Sequence, residues 1–181
     1  MFIRLPFPVK KVLLSCLLVT VFVSCKTPQN TLTKDAEGNL LGIVNKDHFL
    51  EAPYQEWFAF SYDDYTVNTG LAKSLEPALK NIRIKAFMGT WCGDSQEQVP
   101  VFYKILEAAA FDFDRLEMVA VDLRKSTPDL LEKGFDIQRV PTLIFFEKGR
   151  EIGRFVEYPM ESMEEDLLKI ASKQPYKHAY E

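Results

Sequence analysis

The chain has 181 residues, 47% of them hydrophobic, with 14 Phe, 7 Tyr and 2 Trp, enough to build one core of ordinary domain size and to speak against disorder outside its ends. Its formal charge is −4, and the first 25 residues hold Arg4, Lys10 and Lys11 with no acid, so the remainder is more acidic still. An acidic domain argues against nucleic acid and anionic lipid headgroups as partners.

The start reads as a targeting segment. A basic opening precedes an apolar run of 12 residues, Val12 to Val23, which is short beside the roughly 20 that a spanning helix needs. The run ends Phe22-Val23-Ser24-Cys25, which resembles a bacterial lipobox, with Phe22 where an aliphatic residue is usual. The resemblance implies that residues 1–25 are a signal segment and that Cys25 becomes a lipid-bearing N-terminus. The alternative is an uncleaved anchor, and both readings place the domain outside the cytoplasm, in the cell envelope. Cys16 would leave with the apolar run and Cys25 would carry lipid. The folded part then keeps Cys92 as its one thiol and forms no internal disulfide.

Residues 26–47 are polar and read as a tether. In 52–66, Tyr54, Trp57, Phe58, Tyr62 and Tyr65 recur at helical spacing, the pattern of a helix packing its aromatic stripe on a domain, with a partner surface as the other reading. Leu71, Leu75, Ala78 and Leu79 predict a further short helix. Ile82–Met88 reads as a strand, Ser95–Ala110 as a helix containing Pro100, and Leu116–Leu123 as a second strand. Thr127-Pro128-Asp129 predicts the start of a short helix that Gly134 ends. Thr142–Phe146 and Glu151–Val156 read as a hairpin around Glu147-Lys148-Gly149-Arg150. A last helix carries Met163, Leu167, Leu168, Ile170 and Ala171; its acidic start, Glu161 to Asp166, reads as a solvated helix N-terminus and not as a metal site. This order describes a parallel βαβ unit joined to a hairpin and a closing helix, with Cys92 at the strand-to-helix turn where such sheets bind ligands.

Trp91-Cys92-Gly93-Asp94-Ser95 resembles the thioredoxin motif Trp-Cys-Gly-x-Cys. Pro100, eight residues after Cys92, matches that family's kinking proline, and Val140-Pro141-Thr142 matches its cis-proline segment. The likeness spans about residues 75–173. It implies an α/β three-layer fold, a central mixed sheet with helices on both faces, here with an N-terminal helical extension. The domain would run over 48–175, with 176–181 as a tail. It also implies Cys92 as nucleophile, a cis peptide bond at Pro141, and a groove at Val140, Pro141 and Thr142 in which a client peptide pairs as a strand would. Trp91 would shield the sulfur and Gly93 would admit backbone close to it.

The departures are specific. Ser95 stands where the family has its resolving cysteine, Ala86 where it has a buried Asp, and Met118 where it has a buried Lys. A dithiol cycle cannot run within this domain, so a mixed disulfide on Cys92 would persist until another thiol arrives. Ser95 could donate a hydrogen bond to the sulfur, whereas Asp94 would disfavour its anion; the sum cannot be signed from sequence. Two functions follow. One is an oxidoreductase acting through a single thiol on disulfide-bearing clients or low-molecular-weight thiols. The other is a module that holds clients in the Val140–Pro141 groove with the thiol incidental. No cofactor is implied. His48 and His178 stand alone, and no Cys/His cluster suggests a metal.

Overall fold

The computed structural model describes residues 1–2 and 32–181; the signal segment, Cys16, Cys25 and the first part of the tether lie outside the described residues. The elements in chain order are β1 (Thr33–Lys34), β2 (Leu40–Val44), α1 (Lys46–Phe49), α2 (Gln55–Asp64), α3 (Thr69–Ala78), β3 (Ile82–Met88), α4 (Gly93–Ala108), β4 (Leu116–Ala120), β5 (Thr142–Glu147), β6 (Arg150–Val156) and α5 (Met163–Ala171). The strands form one mixed sheet in the order β1-β2-β4-β3-β5-β6, with β3 parallel to β4 and antiparallel to β5. A central mixed sheet flanked by helices is the architecture the motif implied.

Strand residues alternate between two cores, as a period of two requires. Ile82, Ile84, Ala86, Met88, Met118, Ala120, Leu143 and Phe145 join the larger core, to which all five helices contribute, and in which Phe58 of the aromatic helix is 1% exposed. Phe87, Val119, Val121 and Ile144 join a smaller core on the other face, closed by Leu131, Phe135 and Ile137. On that second face the described covering is the irregular run 121–141, where the resemblance implied helices as well.

The helix expected from Thr127 to Gly134 is a series of turns. Thr127 donates through its N–H and hydroxyl to the Glu132 carboxylate and accepts from Leu131 N–H, so side chains take the backbone bonds that a helical ladder would use. Lys125, Leu130 and Gly134 also hold positive φ, which no helix accommodates. Residues 33–44, read as tether, instead extend the sheet: β2 pairs antiparallel with β4 and buries Leu40 and Val44. The acidic start of α5 is not solvated throughout. Glu164 is 1% exposed and accepts from Tyr65 hydroxyl and Asn68 N–H, tying α5 to the segment between α2 and α3. Asp166 is 0% exposed and accepts from Met160 N–H and Tyr176 hydroxyl. The acidic pattern alone carries no sign that hydroxyls and backbone N–H groups from elsewhere satisfy these carboxylates.

Candidate functional site

The site grows from the end of β3. Val121 N–H bonds to Met88 carbonyl, continuing the parallel pairing one step beyond the strands, and there the chain turns through Gly89, Thr90 and Trp91. Trp91 lays its indole across the turn and donates Nε1–H to Val121 carbonyl at 2.8 Å. A Cβ on Gly89 would stand 2.5 Å from that ring, which is why glycine is needed there. Thr90 is buried, accepts from Leu40 N–H at 3.1 Å, and so fastens β2 to the turn; Gln96 bonds to Thr90 carbonyl at 2.8 Å.

Cys92 is the N-cap of α4, with extended backbone, and is half-buried. Its Sγ–H donates to Val140 carbonyl at 3.2 Å, and the Val140–Pro141 peptide bond is cis. The motif and the proline segment, 48 positions apart for these two residues, thus meet in space. Gly93 opens outward, for a Cβ there would meet nothing within 4 Å, and Asp94 is exposed. No described group accepts from the N–H groups of Gly93, Asp94 and Ser95, the ordinary condition of a helix start, so these donors face any charge that gathers on the sulfur.

Ser95 sits differently from the expectation. It is fully buried, and its hydroxyl accepts from Gly89 N–H at 3.2 Å, with no hydrogen bond to Cys92 Sγ. It stabilises the turn that presents the sulfur. Ala86 and Met118, the two replaced positions, are buried cross-strand partners in β3 and β4, so the place of an ionisable pair holds apolar packing.

On the facing side Val140, Pro141 and Thr142 are buried. Thr142 hydroxyl donates to Arg139 carbonyl at 2.7 Å, and Glu157 N–H donates to Pro141 carbonyl at 2.8 Å. Val140 N–H meets no acceptor among the described residues, which leaves a donor next to the sulfur for an incoming peptide. Sequence reasoning missed Thr90, Gln96, Arg139 and Glu157, whose roles arise where chain segments cross. Among the described residues no group of three His, Cys, Asp or Glu side chains could hold a metal ion. The arrangement offers one accessible thiol, donors at a helix start, and an extended loop across from it.

Known proteins point the same way. A family model described as "Thioredoxin" matches residues 48–171. A thioredoxin of Chlamydia trachomatis is 32% identical over 87 residues, 48% of this chain and 76% of that protein. Chloroplastic thioredoxin Y of Oryza sativa subsp. japonica is 32% identical over 85 residues, 47% of this chain, and the match spans 45% of the rice protein. A crystal structure of an HIV epitope scaffold superposes with a TM-score of 0.54 at 16% identity, covering 72% of this chain and 93% of the other, a likeness of fold alone.

Proposed function

Because the chain belongs to the thioredoxin family, we propose that it is a thiol–disulfide oxidoreductase working through one nucleophile, Cys92, by way of mixed disulfides. The observation that carries this is the placement of a half-buried sulfur at the start of α4, against the carbonyl that precedes a cis proline. Cys92 gives up its proton and attacks one sulfur of a disulfide R–S–S–R′. A bond forms between Cys92 and R, and R′ leaves as a thiolate that takes up a proton. Cys92 is the one free cysteine among the described residues, so an external thiol must attack the mixed disulfide and release R as its own disulfide. Clients are disulfide-bearing proteins or low-molecular-weight thiols, and the open N–H of Val140 suits an extended peptide.

Intact-mass spectrometry after incubation with oxidised glutathione tests this. With Cys16→Ser and Cys25→Ser in place, the protein should gain one glutathione, lose it on addition of a second thiol, and show neither change once Cys92→Ser is added. A wild-type thiol that stays unmodified while free cysteine reacts would leave a client-holding module in its place.

The same proposal sets the domain in a bacterial cell envelope, tethered to membrane by lipid on Cys25. Its support is the basic opening, the short apolar run and the Ser24–Cys25 junction. Among the described residues no helix is long and apolar enough to cross a membrane. Incorporation of a labelled fatty acid that is lost in Cys25→Ala would support the tether, and equal labelling of both proteins would refute it.

A further inference from the structure

Residues 174–181 follow α5 and turn around the outer edge of the sheet. Gln174 and Tyr176 lie beside Ile170 and Gly153, on the side of β6 that carries the helices. His178 borders these residues too and, with Tyr180, Arg139, Thr142 and Val156 on the other side, lines a cavity of about 200 Å³. The segment thus passes from one face of the sheet to the run that leads into Pro141. It is held at two points. Tyr176 hydroxyl donates to the buried Asp166 at 3.2 Å. Tyr180 hydroxyl donates to Glu157, and the Arg139 guanidinium lies 3.9 Å from the centre of the Tyr180 ring.

Glu157 is where these contacts converge. Its N–H holds Pro141 carbonyl at 2.8 Å, and its carboxylate holds Arg139 at 3.3 Å as well as Tyr180. Its φ is +62°, a conformation that a side chain of this size adopts only where surroundings over-determine it. Residues 139 and 141 are therefore both fixed by one residue. Between them lies Val140, whose carbonyl touches Cys92 Sγ. The Arg139 side chain is 47% exposed, and an ion pair so placed adds little to folding stability. Its effect is on geometry, where small displacements of a reacting partner are costly.

We infer that Glu157 is a positioning residue for the Val140–Pro141 loop and that Tyr180 is the latch that holds its carboxylate. The reaction of Cys92 with peptide disulfides then depends on a segment remote from the motif in sequence. This rests on the oxidoreductase reading above. A peptide disulfide must pair with Val140 while its sulfur lies in line with Cys92; a small aromatic disulfide needs only access to the sulfur.

The test compares two rates at Cys92, on the chain bearing Cys16→Ser and Cys25→Ser, which serves as the wild type here: mixed-disulfide formation with a cysteine-bearing peptide disulfide, and reaction with 5,5′-dithiobis(2-nitrobenzoate). Glu157→Gln and Tyr180→Ala should slow the peptide reaction roughly tenfold and leave the small-disulfide rate within about twofold. Tyr180→Phe, which keeps the ring on Arg139 and loses only the bond to Glu157, should fall between these and wild type; it decides the matter if the other variants fail to fold. A ratio of the two rates that stays at the wild-type value, whatever happens to the melting temperature, would overturn the inference. A wild-type protein inert to both reagents would instead overturn the oxidoreductase reading, and this inference with it.

Discussion

Ser95 commits its hydroxyl to Gly89 N–H, within the turn that carries the Cys92 sulfur, and this sets what a second thiol at that position would do. Ser95→Cys restores the spacing of a dithiol motif one helical turn from Cys92. Mixed disulfides on Cys92 should then be released without added thiol, observed as loss of the adduct mass over time. The sulfur accepts more weakly than oxygen from Gly89, so the variant should lose about 1 kcal/mol of stability in denaturant unfolding. An adduct as long-lived as that of the wild-type protein would mean that the side chain at 95 cannot reach Cys92. The pairing of Cys92 with Val140–Pro141 was legible because motif and proline segment each carry a strong local signature. The partner of Ser95 was not, for a serine one turn into a helix looks alike whether it faces the sulfur or the preceding turn. Thr90 and Glu157 gave no signal at all, since their bonds join β2 to β3 and the end of β6 to the start of β5, and nothing in the local sequence encodes those meetings.

Helix α5 shows how an element legible in outline can conceal its energetics. Its apolar stripe and acidic first turn predicted the helix correctly, yet Glu164 and Asp166 point into the protein. Burial pushes the Asp166 carboxyl above its usual range, against the pull of the bonds from Met160 N–H and Tyr176, and its Oδ1 has no hydrogen-bond partner among the described residues. A carboxyl raised on folding binds its proton more tightly in the native state than in the unfolded one. Stability is therefore greatest below the unfolded value and falls as pH climbs through the interval up to the native value. Asp166→Asn carries no such charge, so its melting temperature should gain on the wild type as pH climbs above the ordinary carboxylate range. A difference that stays constant over that interval would show that desolvation of this group does not govern stability. The strands from Ile82 onward were read well because β-branched and aromatic residues alternate in them without competing signals. The run 127–134 was misread because Thr127 and Pro128 make a good helix start, while the Glu132 carboxylate and the positive φ of Leu130 and Gly134 offered the backbone another solution.

At the scale of the whole molecule, the central sheet was legible in the sequence but its margins were not. The polar stretch before residue 48 was read as a tether because composition there resembles a linker, yet Leu40 and Val44 bury against the helices, and β2 with β1 outside it closes one side of the sheet. On the opposite margin, β6 has no strand beyond it, and residues 174–181 run alongside. A strand at the rim of a sheet offers unpaired backbone groups to any other chain that comes near. Removal of residues 175–181 should leave that rim open. The shortened protein should self-associate with rising concentration in sedimentation velocity, where the full chain does not; equal behaviour of the two would show that the rim is guarded by other means. The wrapping of this segment from helix face to open face would thus have a colloidal consequence. A protein crowded with its own copies would be kept from knitting them edge to edge.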